Sequence, residues 1–267
     1  MRLSIAQFQI ISIFLSTLEQ TWSSIDVDIL SPDDSYLLHD GGSFIDLGHN
    51  ALIYQEEKAQ NKSSTYERVG YSKSEIFSQI EVAIREADQM KSREDFTGAA
   101  AFLFDVLEKF RDQLNNLDIS DMLFSIGIAF LEGKMFEEAI TVLVDSVRVL
   151  ESDDTFRVAE SMDFIGESYL GLGQNDVSIE IWSKSAELWQ SIDEYHRFGD
   201  TLNSLGVAYF RLGDYATATK LCELAILNYK SKIPIDTIEQ EMSADRLIVA
   251  QSNLKTITKM NMIKEEL

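Results

Sequence analysis

Residues able to carry chemistry are scarce in this chain. It has one cysteine, Cys222, among 267 residues, so no internal disulfide can form. Three histidines, His39, His49 and His196, share no helix at metal-ligand spacing and read as solvated side chains. There is no G-x-S-x-G and no phosphate-cradling glycine loop. The acid pairs Glu137-Glu138 and Asp153-Asp154 are neighbours in sequence and cannot face each other across a reacting bond. The chain therefore reads as non-enzymatic, with no cofactor and no metal.

Proline is equally rare. Pro32 and Pro234 are the only two, and the stretch between them is free for consecutive helices. Positive charge is outnumbered, 23 lysines and arginines against 45 acids, for a net charge of −22. Such a surface repels phosphate backbones, which excludes nucleic acid, and it favours a basic partner. No stretch is apolar enough for a convincing membrane span.

What the chain has is a repeat. In 199 to 229, Leu202, Leu205, Gly206 and Tyr209 fall at helical intervals, Gly213-Asp214 marks a turn, and Tyr215, Ala218, Cys222 and Ala225 resume the helical spacing. Gly206 has counterparts at Gly166 and Gly127, Tyr209 at Tyr169 and Phe130, and Ala218 at Ser178 and Ala139. Ala87, Met90, Phe96, Ala99 and Leu103 hold the same slots in weaker form. About four units of about 40 residues follow, each a pair of helices. Cys222 takes the slot of Trp182, Leu143 and Leu103, which marks it as a buried structural thiol.

These slots resemble tetratricopeptide (TPR) repeats. The L-G-x-x-Y of the first helix stands as Leu205-Gly206 with Tyr209, Ile165-Gly166 with Tyr169, and Ile126-Gly127 with Phe130. The small residue opening the second helix is Ala99, Ala139, Ser178 or Ala218. The period of about 40 exceeds the usual 34 and is similar to the longer-period class of kinesin light chains, adaptors of G-protein regulators and some bacterial regulators. The extra residues are expected between one unit and the next, as in Val147 to Met162. The resemblance implies an all-α, right-handed α-solenoid of TPR-like helix hairpins with a C-terminal capping helix. The asparagine ladder of that class is not reproduced: Asn203-Ser204 is matched by Phe124-Ser125 and Asp163-Phe164.

Taken in order, residues 1–23 carry Arg2, an uncharged stretch and small residues near Ser23. They read as a signal peptide, with an N-terminal structural or partner-binding helix and an organelle presequence as alternatives. A cleaved signal would place the chain in the secretory pathway or an organelle lumen; otherwise it is cytoplasmic. Residues 24–72 form an irregular acidic segment with a glycosylation sequon at Asn61. The repeats span 73–232, in units of about 73–115, 118–152, 156–192 and 196–231. Ser72-Lys-Ser-Glu75 is a capping-box pattern ahead of the first helix, and Asp236-Thr-Ile-Glu239 is another. The latter opens a capping helix, 236–262, expected to dock through Ile238, Met242, Val249, Leu254 and Ile257 and to stay polar outside.

In such a solenoid the first helices line a concave wall. Register assigns to that peptide-binding groove Phe124, Ile128 and Leu131; Asp163, Phe164, Glu167 and Leu170; and Asp200, Asn203, Val207 and Phe210, with Glu81, Ile84 and Asp88 ahead of them. TPR domains that clamp a chaperone C-terminus use basic residues and asparagine there; the matching slots here lack a basic clamp. The expected function is a protein–protein interaction adaptor or scaffold whose groove takes a basic, partly apolar peptide or helix. A structural subunit whose groove is filled by its own N-terminal segment is the alternative. A regulatory enzyme would need a polar pocket that the sequence does not offer.

Overall fold

The computed structural model describes residues 72–150, 154–231 and 237–266. The expectations for residues 1–23 and 24–71, for Asn61, His39 and His49, and for the side chains of the second capping box lie outside the described residues.

Three of the four hairpins begin where a short polar side chain, Ser72, Asn115 or Asp154, takes a free amide of the first helical turn; the fourth begins after Glu194 without such a cap. Ser72 and Glu75 close the expected capping box on α1 (Lys73–Lys91): the Glu75 amide donates to Ser72 Oγ, and the Ser72 amide to Glu75 Oε2. Asp95 caps α2 (Phe96–Phe110), which runs into a short 3-10 turn, Arg111–Gln113. Asn115 caps α3 (Asn116–Glu132), and α4 (Phe136–Val149) follows. Asp154 caps α5 (Thr155–Gly171); α6 (Asn175–Ser191), α7 (Tyr195–Arg211) and α8 (Tyr215–Ser231) complete four hairpins. A final helix, α9 (Thr237–Glu266), lies across the last of them. Among the described residues there is no strand.

Each helix packs on its predecessor and successor, and α3, α5 and α7 also touch one another in turn. This is the all-α solenoid, held by the slots that repeat in the sequence. A Cβ at Gly127 would meet Leu143 Cγ at 2.6 Å, one at Gly166 would meet Trp182 Nε1 at 2.7 Å, and one at Gly206 would meet Cys222 Sγ at 2.7 Å. The glycine slot is thus the helix crossing within each hairpin, and it faces the slot that Cys222 shares with Trp182 and Leu143. Cys222 is buried, and burial pushes its thiol up to about 11. A second crossing lies seven residues earlier, where Ser120 and Ala159 are small and Gly199 leaves room for the Tyr229 ring.

The turns repeat as well. Glu94, Lys134, Gly173 and Gly213 each take a positive φ between the two helices of a hairpin, and Asp193 does the same between hairpins. Gly173 and Gly213 suit that left-handed region without strain. The long period does not come from long linkers. Residues 192–194 alone separate α6 from α7, and α5 through α8 are each 17 residues long. The extra length sits in the helices.

The docking face of α9 differs from expectation. Ala250 and Ile257 are buried and Arg246, Asn253 and Leu254 half-buried, while Met242 and Val249 are 50% and 53% exposed. The helix is turned so that Arg246 reaches Asp200 and Asn253 reaches Asn203, with the small Ala250 between them permitting close approach. Ile257 and Leu254 close over Ala218, Cys222, Tyr209, Phe210 and Tyr215.

Candidate functional site

The first helices α3, α5 and α7 touch one another in turn along the face expected to be the inner wall, and their residues sort by what lies opposite them. The slot three residues before the crossing glycine holds Phe124, Asp163 and Asn203, and each of them meets the next layer. The Phe124 ring sets its edge against Phe164 of α5, with centroids 5.5 Å apart. Asp163 accepts from Thr201 Oγ1 of α7 at 2.8 Å, and also from Ser185 Oγ at 2.6 Å and Trp189 Nε1 at 2.7 Å. Its backbone carbonyl accepts from Trp182 Nε1 at 2.9 Å, so both tryptophans of α6 hang on one residue. Burial pushes the Asp163 carboxyl up to about 6, against the pull of the Ser185, Trp189 and Thr201 hydrogen bonds. Asn203 accepts from Asn253 Nδ2 of α9 at 3.1 Å.

One turn earlier lies a ladder of ion pairs. Asp121 on α3 takes Arg157 of α5 in two hydrogen bonds, at 2.6 and 3.1 Å. Glu160 on α5 takes Arg197 of α7 at 2.8 Å. Asp200 on α7 takes Arg246 of α9 at 3.0 and 2.9 Å, and accepts from the Tyr229 hydroxyl at 2.8 Å. Asp121, Glu160 and Asp200 are one repeat apart, as are Arg157 and Arg197. Sequence reading passed over this ladder, although alignment at the 40-residue period sets these residues side by side.

The expected groove therefore divides. Asp163 is enclosed in a seam rather than exposed on the wall. Asp200 and Asn203 are engaged by α9. Leu131 and Leu170 are buried. Phe210 packs beside Tyr215, with centroids 5.5 Å apart, against the cluster under α9. Ile128, Phe164 and Val207 stay half-buried on the wall, with Phe124 at their edge, and Glu167 is exposed. Neighbouring side chains nevertheless partly desolvate the Glu167 carboxyl and push it above its ordinary range. Ahead of them on α1, Glu81 and Asp88 are exposed and Ile84 is half-buried. Glu81 pairs with Arg85, and Lys91 bridges Asp88 and Glu132. No metal-holding cluster occurs among the described residues, and no described helix is long and apolar enough to cross a membrane.

No protein-family model matches the chain, and no curated protein matches its sequence. Solved structures do share its architecture. BtubC (BKLC) from P. vanneervenii is 13% identical with a TM-score of 0.55, over 82% of this chain and 90% of that one. The TPR-like repeats of a kinesin light chain candidate from Podosopora anserina are 14% identical with a TM-score of 0.52, over 71% of this chain and 98% of that one. A Rap protein crystallised with competence and sporulation factor is 11% identical with a TM-score of 0.57. That match covers 81% of this chain, which spans only 55% of the Rap chain. At such identities the likeness is one of fold, and the fold is the TPR-like helix-hairpin repeat.

Proposed function

We propose that this TPR-like solenoid is a non-enzymatic adaptor whose inner wall takes a basic, partly apolar peptide or helix. The observation that carries the reading is the set Ile128, Phe164, Glu167 and Val207. These side chains lie on three successive first helices, half-buried at Ile128, Phe164 and Val207 and exposed at Glu167, whereas the polar groups of Asp163, Asp200 and Asn203 are hydrogen-bonded across seams. Apolar anchors flanking a single exposed carboxylate suit a ligand that offers an aliphatic or aromatic side chain and a cation three or four residues away on a helix. The net charge of −22 steers such a ligand inward. Glu167 adds to this: a partly desolvated carboxylate gains more from a cation than a fully hydrated one.

The test is selection from a displayed random peptide library on the full chain, followed by affinity measurement of the enriched peptides. The expected result is enrichment of peptides with lysine or arginine beside apolar residues, bound at least about tenfold more weakly by Glu167→Lys and by Val207→Asp. Enrichment of acidic peptides, or unchanged binding by both variants, rules the reading out.

A further inference from the structure

The described residues include eleven exposed large apolar side chains, and six of them sit on α9: Met242, Ile248, Val249, Met260, Met262 and Ile263. Four of the six share one side: Met242, Val249 and Ile263 recur at multiples of seven residues, in one row with Thr256 and with Met260 beside them, on a stripe about a quarter-turn round the helix from the docked residues Ala250 and Ile257, while Ile248 and Met262 lie off it. Over 21 residues the stripe runs about 30 Å. A terminal helix that only covered the last hairpin would be polar there.

We infer that α9 pairs with α9 of a second copy of this chain, antiparallel, across this stripe. The order of charge along the helix selects the direction. Asp245 precedes the midpoint of the stripe, and Lys255 and Lys259 follow it. A two-fold axis between Ser252 and Asn253 sets Met242 of one copy against Ile263 of the other and Val249 against Thr256. It brings Asp245 beside Lys259, twice over. A parallel pairing would set Asp245 against Asp245 in a protein that already carries a net charge of −22. The polar residues Ser252 and Thr256 at the centre, which weaken a heptad seam, fix its register. The face used is separate from the inner wall, so the dimer stands or falls independently of the peptide groove.

Sedimentation equilibrium of the full chain, from about 1 to 100 µM, is expected to show a reversible monomer–dimer balance, since a single helix pair is a small interface. Val249→Glu should weaken it at least about tenfold with unchanged thermal melting, because the side chain is exposed in the monomer. Asp245→Lys should weaken it, and Asp245→Lys with Lys259→Glu should restore it. Oxidation should cross-link a Met242→Cys, Ile263→Cys double variant between copies but not Met242→Cys alone. Cross-linking by Met242→Cys alone would mean a parallel pair and overturn the proposal. So would a wild type that stays monomeric throughout, which would assign the stripe to another occupant, or a dimer indifferent to Val249→Glu.

Discussion

Phe124 and Asp163 occupy the same place in successive hairpins and hold the next layer by opposite means. Phe124 sets a ring edge on Phe164, a contact tolerant of small slips. Asp163 gathers Ser185, Trp189 and Thr201 on one buried carboxylate, with defined partners and directions. The repeat decides which residue faces the next layer but not what chemistry it uses there. Where the residue is polar, the seam also becomes sensitive to protons.

The sharpest way to break this contrast is Asp163→Ala. It leaves the Trp189 indole N–H without its acceptor, while Ser185 and Thr201 can fall back on the carbonyls of Ala159 and Arg197. Urea unfolding should register a loss of about 3 kcal/mol, where a loss below about 1 kcal/mol would place the two seams on one footing. Next comes pH. Folded, Asp163 keeps its proton up to about 6; unfolded, up to the ordinary 3.8. Between those values the folded state binds more protons, so stability falls as pH rises from about 4 to about 6, by about 2 kcal/mol from this group. Asp163→Asn should flatten that slope in melts taken at pH 4.5 and 7.

Third is the crossing glycine. Gly166→Ala drives a methyl into the Trp182 ring, which the Asp163 carbonyl fixes, and should cost about 1.5 kcal/mol. Gly127→Ala meets a Leu143 side chain able to change rotamer and should cost less; equal losses would show that the Trp182 hydrogen bond confers no rigidity. Phe124→Leu, which keeps apolar bulk and removes the ring pair, follows at about 1 kcal/mol in the same assay, with no change in pH slope. Smallest is Arg157→Gln, at about 0.5 kcal/mol and vanishing in high salt, because that pair is partly solvated.

The fold was legible because its strongest constraint is steric. Where backbones cross closely only a small residue fits, so Gly127, Gly166 and Gly206, with Ala87 one period earlier, repeat in register and expose the hairpins. The wall was less legible. Helical phase says that Phe124, Asp163 and Asn203 share a face, but not that the next first helix, or α9, already lies against it. The 3.6 period failed at α9 because that helix carries apolar residues on two sides, one docked and one bare, and pattern alone cannot rank them. Arg246 and Asn253, which decide the docking, look like ordinary surface residues until their partners Asp200 and Asn203 are seen opposite.

The ion-pair ladder has a further consequence. In every rung the acid belongs to the earlier hairpin and the arginine to the later element: Asp121 with Arg157, Glu160 with Arg197, Asp200 with Arg246. The stack is therefore polar in the sense of a row of sockets and plugs. A third hairpin duplicated in tandem would mate with itself, Glu160 of one copy receiving Arg157 of the next, whereas one spliced in reverse would set like charges face to face.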